Sequence, residues 1–166
     1  AVDLERRMRE NIQDNIRALD LLLERPDIDP HRLGTLGISL GAIKNVVLFA
    51  VEPRFTGNVV CLGGADLPRI LRESEESRVL IYVRAREEAE GLSREDLVRE
   101  LERDFRAEPA RFAAAVSNDR VLLILGSPDD KVPYSTGLLL RDKLGAPETY
   151  VVPLGHYTGI LAAPLA

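Results

Sequence analysis

The chain has one cysteine, Cys61, and two histidines, His31 and His156. A lone cysteine excludes an internal disulfide and leaves the redox compartment open. Two histidines confine any imidazole chemistry to two places. There is no basic excess: 22 Lys and Arg face 27 Asp and Glu, for a net charge of −5. Nucleic acid is therefore a poor fit as a partner, because phosphate binding needs a basic surface. No apolar stretch approaches the roughly 20 residues needed to span a bilayer, so no membrane span is expected. The chain starts Ala1-Val2-Asp3, with no Met and no signal-peptide pattern. The expectation is that the natural N-terminus lies elsewhere, and location stays open with a lean to the cytoplasm. Internal repeats and low-complexity segments are absent too.

What is there suits one globular domain over residues 1–166, with 45% apolar and 30% charged residues. Arginines alternate with glutamates, as in Glu5-Arg6-Arg7 and from Arg99 to Arg106, which reads as solvated helix faces. Leu4, Met8, Ile12, Ile16, Leu19 and Leu23 recur at spacings of three and four. They predict a helix with one buried stripe, ending at Arg25-Pro26. Short apolar runs at 33–38, 57–62, 121–125 and 149–154 read as strands. Helical runs at 42–50 and 136–144 separate them, the second closed by Gly145. Residues 65–119 are long, charged and mostly helical in pattern, with Ser93 as a helix cap. Strands alternating with helices imply an α/β fold, a parallel sheet with helices on both faces. Reactive groups in such sheets collect past the carboxyl ends of the strands.

Gly37-Ile38-Ser39-Leu40-Gly41 stands between the first strand and the helix that follows. A strand-turn-helix with serine at its apex forces that serine into a strained conformation and holds its hydroxyl out of the sheet. Bulky residues at either glycine are expected to collide with the adjoining strand and helix. A serine hydroxyl needs a base to take its proton, and the base needs a third group to orient it. His31 precedes the Ser39 strand, at the wrong end, and reads as a surface residue. His156 follows the last strand in Gly155-His156-Tyr157. The acid is expected after the third strand, where Asp129 is favoured and Asp130 is the near alternative. Asp66, past Gly63-Gly64, is a third candidate whose other role is to cap the next helix. Cys61 reads as a buried strand residue rather than a nucleophile.

The order Ser39, Asp129, His156 is that of the α/β-hydrolase fold. From its first helix onward the chain resembles the C-terminal two-thirds of an α/β hydrolase. It is similar to bacterial esterase-like members of the dienelactone hydrolase and acetyl xylan esterase groups. The stretches that carry the resemblance are 29–34 leading into 37–42, then 129–133, then 144–148 leading into 155–157. The resemblance implies a serine hydrolase acting on carboxylic esters or related small acyl compounds. Ser39 would be the nucleophile, His156 the base and then the acid, and Asp129 the orienting carboxylate. The Leu40 N–H would supply half of the oxyanion hole. No metal and no organic cofactor would be needed. A prolyl-oligopeptidase-like peptidase and a non-catalytic binding module of the same fold are the alternatives.

Members of that fold open with strands that here have no counterpart, including the loop that donates the second oxyanion N–H. The chain is thus expected to be a partial domain, oligomeric or paired with a missing N-terminal segment. Alone it would be poorly stable and barely active. The 65–119 segment is expected to be a helical insertion that serves as a lid over Ser39.

Overall fold

A computed structural model describes residues 2–160. Ala1 and residues 161–166, part of the expected 1–166 domain, lie outside them. The chain runs α1 (Val2–Leu23), β1 (Gly34–Ile38), α2 (Leu40–Val51) and β2 (Gly57–Cys61). It continues through α3 (Leu67–Glu73), α4 (Ser77–Glu90), α5 (Arg94–Asp104) and α6 (Pro109–Phe112). It ends with β3 (Val121–Gly126), α7 (Tyr134–Lys143), β4 (Glu148–Val152) and α8 (His156–Gly159). No described helix is long and apolar enough to cross a membrane.

The strands form one four-stranded sheet in the order β1-β2-β3-β4. Every pairing is parallel, with Ile38 opposite Cys61, Cys61 opposite Ile124 and Ile124 opposite Tyr150. All strand carboxyl ends therefore lie on one edge of the layer. Successive side chains alternate between the faces, as strand geometry demands. Val60, Leu123 and Leu125 turn to the larger core, shared with α1, α2, α3, α5 and α7. Cys61, Leu62 and Ile124 form a smaller cluster with Ile38 and Val59. Gly159 of α8 packs on Leu62, so a helix meets this face as well.

The α1 stripe behaves as its spacing predicts. Met8, Ile12 and Leu19 are buried, and Leu4, Ile16 and Leu23 pack against the core. Ser93 caps α5 through a reciprocal capping box with Asp96. Asp66 caps α3 by accepting from the Arg69 N–H, and Glu108 adds bonds to the N–H groups of Asp66 and Leu67. Glu52 is buried beside Arg54, whose guanidinium holds the Glu52 carboxyl below the usual carboxylate range.

The 65–119 segment is built into the core more than its charge suggests. Leu97, Val98, Leu101 and Phe105 are at most 4% exposed and sit among the sheet and α2 residues. Among the α-helices of this segment α4 alone holds no buried residue, and its Leu80 and Ile81 are 44% and 67% exposed. Leu97→Ala should therefore cost about 2–5 kcal/mol, the range for a buried leucine. Ile81→Ala should stay within about 0.5 kcal/mol. Thermal or urea unfolding measures both, and equal effects would refute the distinction between α4 and the rest of the segment.

Candidate active site

Ser39 lies between the last residue of β1 and the first of α2, at φ 57° and ψ −125°. A non-glycine residue rarely takes a positive φ, and here the turn imposes it. The turn is held by the Ser39 N–H donating to the Cys61 carbonyl and the Ile43 N–H donating to the Ser39 carbonyl. Gly37 is required by a close approach: a Cβ there would lie 2.6 Å from the Gly41 carbonyl oxygen. The expectation for Gly41 is corrected, since among the described residues nothing lies within 4 Å of a Cβ at that position. The strand folds back under the helix only on the Gly37 side.

The Ser39 hydroxyl is 2.8 Å from His156 Nε2. His156 Nδ1 is 2.7 Å from Asp129 Oδ2. Asp129 Oδ1 accepts the backbone N–H groups of Lys131 and Val132 at 2.9 and 3.0 Å. One carboxylate oxygen is thereby tied to its own turn and the other is aimed at the ring. With a carboxylate facing Nδ1, the ring proton belongs on Nδ1, and Nε2 is left to accept from the serine. His156 and Asp129 are buried and Ser39 is half-buried. Gly126 makes room for this arrangement, because a Cβ there would lie 2.5 Å from the Leu154 carbonyl oxygen on the approach to His156.

The alternatives fall elsewhere. Asp130 is exposed and pairs with Lys131 at 3.4 Å. Asp66 serves α3, and His31 is exposed in the turn before β1. Cys61 is fully buried, and that burial pushes its thiol up to about 11, with the Asp129 charge adding to the effect. Such a thiol is a poor nucleophile at neutral pH. Leu40 opens α2, where backbone N–H groups have no partner within the helix. An oxyanion beside Ser39 would meet that end of the helix dipole.

Three features escaped the sequence. Ser74 is fully buried, and its hydroxyl donates to the Lys131 carbonyl at 2.6 Å. The Tyr157 hydroxyl donates to Glu76 at 2.5 Å. Asn58 accepts from Thr35 and Asn45 in a buried cluster between β1, β2 and α2. Partners so distant in sequence leave no periodic or spacing signal.

The two glycines of the turn give a direct test. Gly37→Ala should destabilise the protein by about 1–3 kcal/mol or more, because its neighbour is backbone and cannot swing aside. Gly41→Ala should fold with a midpoint close to the parent. Urea unfolding of the pair decides it, and a well-tolerated Gly37→Ala would refute the close approach.

The sequence model of the prolyl oligopeptidase family matches residues 4–154. No curated protein matches the chain. Among solved structures, acylaminoacyl peptidase from Pyrococcus horikoshii is similar, with a TM-score of 0.74 at 22% identity over 96% of this chain and 26% of that one. Acetyl xylan esterase from Paenibacillus sp. R4 has a TM-score of 0.72 at 18% identity, over 87% of this chain and 46% of that one. A Mycobacterium tuberculosis puromycin-hydrolyzing peptidase has a TM-score of 0.69 at 19% identity, over 87% of this chain and 22% of that one. Identities this low show the fold alone, and the chain spans less than half the length of each of these proteins. The α/β-hydrolase resemblance is upheld, and the matching family is the one first carried as an alternative to the esterase groups. The chain belongs to the prolyl oligopeptidase family of serine hydrolases.

Proposed function

We propose that this chain forms the catalytic unit of a hydrolase that cleaves acyl compounds through a covalent acyl-serine. The observation that carries the reading is the continuous relay from Ser39 Oγ through His156 to Asp129, at 2.8 and 2.7 Å. Ser39 Oγ attacks the acyl carbon as its proton passes to His156 Nε2. Asp129 holds the Nδ1–H tautomer and stabilises the imidazolium that results. The Leu40 N–H faces the oxyanion, and a second donor, from a loop or chain beside β1, the end strand of the sheet among the described residues, completes the hole. His156 then returns its proton to the leaving group, and water, activated by the same ring, releases the acid.

Carboxylic esters are the first substrate class. Membership of the prolyl oligopeptidase family favours a second, peptide amides. The acyl-serine is common to both. They differ in the leaving group, because an amine must be protonated by His156 before it departs. Initial rates on p-nitrophenyl acetate and on peptide p-nitroanilides rank the two classes. A binding module without chemistry would show neither activity.

A fluorophosphonate probe should label Ser39. Ser39→Ala should abolish labelling, and His156→Ala should slow it by roughly 10³-fold or more, the scale on which a triad depends on its base. Asp129→Asn should slow it as well, while Asp130→Asn should not. Labelling at another residue, or labelling that survives His156→Ala, would sink the relay.

We propose further that within the 65–119 insertion α4 is the part that covers the site. Its lack of buried residues and its exposed Leu80 and Ile81 support this. Replacing 78–90 with a Gly/Ser linker should change the relative rates on short and long acyl chains. An unaltered preference would refute the lid.

A further inference from the structure

His156 is approached from a second side by a path that the relay does not use. The path starts in the Asp129 turn. The Glu75 N–H donates to the Asp130 carbonyl at 3.2 Å, and the Ser74 hydroxyl donates to the Lys131 carbonyl at 2.6 Å. Arg94 fixes the same strut by donating to the Ser74 and Leu71 carbonyls, both at 2.6 Å. The Glu76 N–H donates back to Ser74 Oγ at 3.1 Å. Glu76 stands immediately before α4. One oxygen of its carboxylate accepts the Tyr157 hydroxyl, and the other accepts the Ser77 hydroxyl at 3.2 Å. Tyr157 follows His156 in the chain, and its ring stands edge-on to the imidazole, 5.6 Å away at 81°. The path closes a loop: Asp129 turn, Ser74, Glu76, Tyr157, His156 and back to Asp129.

We propose that Tyr157 and Glu76 are positioning residues for His156, bracing its turn against the Asp129 turn. The inference rests on the reading of Ser39, His156 and Asp129 as the catalytic relay. The need for a brace follows from local structure. Among the described residues the His156 turn is a single helical turn, α8, and the loop before it crosses Gly126 with no room for a side chain. Burial does not require the tyrosine bond, since Tyr157 is 60% exposed and water could satisfy its hydroxyl. A directed bond to a carboxylate is stronger than one to a neutral acceptor and fixes the ring. The carboxyl of Glu76 is held below the usual range, first by this hydroxyl, and the Tyr157 phenol is raised by its bond to Glu76. Both shifts favour the carboxylate–phenol pair near neutral pH. A ring held at both ends of its turn keeps Nε2 on the serine, and small displacements there are costly to rate.

The test is the rate of fluorophosphonate attack per labelled Ser39 in the full-length protein, for Tyr157→Phe, Glu76→Ala and Glu76→Gln. Tyr157→Phe and Glu76→Ala should react roughly tenfold more slowly per site, with the final extent of labelling retained. On an ester substrate, kcat should fall while KM holds. Glu76→Gln keeps an oxygen to accept the hydroxyl but loses the charge, and its rate should fall between those of Glu76→Ala and the parent. A Tyr157→Phe enzyme that reacts at the parent rate overturns the brace, as does a lower melting temperature at the parent rate per labelled site. Glu76→Gln as slow as Glu76→Ala overturns it too. A parent enzyme that leaves Ser39 unlabelled overturns both the brace and the relay on which it rests.

Discussion

One backbone contact sets the conditions for the site. The chain leaves β1 and enters α2 so sharply that Gly37 lies almost against the Gly41 carbonyl. That closeness is what forces Ser39 to a positive φ and lifts its hydroxyl above the sheet edge. The parallel register does the rest. Strands paired with their carboxyl ends aligned bring the turns after β1, β3 and β4 together. Ser39, Asp129 and His156 sit in those three turns. The strain at one residue is supported by a sheet whose central positions, Val60, Leu123 and Ile124, are fully or almost fully buried.

Much of this was legible because the signals are local. The α1 stripe, the four apolar runs and the Ser93 capping box each state their conformation within a few residues. Ser39 was readable from the glycine before it and the helix after it. Asp129 and Asp130 could be ordered by pattern but not separated by chemistry. Their separation comes from the turn, which ties Asp129 Oδ1 to two backbone N–H groups and leaves Asp130 to Lys131 in solvent. Gly41 was misjudged because a symmetrical motif suggests symmetrical crowding, whereas only the strand side is crowded.

What was not legible depends on partners distant in sequence. Ser74 lies in a glutamate-rich stretch that reads as surface, yet it is buried against the Lys131 carbonyl. Residues 65–119 read as a charged helical insertion because their charge dominates the composition. The apolar stripe Leu97, Val98, Leu101 and Phe105 is spaced for a helix face, and it places α5 inside the core. Charge content describes a segment's outer face and says little about its inner one.

The strand order has a consequence for how the site comes into being. Ser39 belongs to the β1–β2 half of the sheet, and Asp129 and His156 to the β3–β4 half. Within each half a single short crossover joins the strands. Between the halves the chain must first order residues 62–120, the longest closure in the sheet. Loop entropy makes such a closure the slowest of the three pairings. Ser39 and His156 therefore meet only when β2 and β3 pair, so a half-folded chain carries the Ser39 turn without its hydrogen-bonded partner. Reactivity at Ser39 would mark the completion of folding rather than its onset.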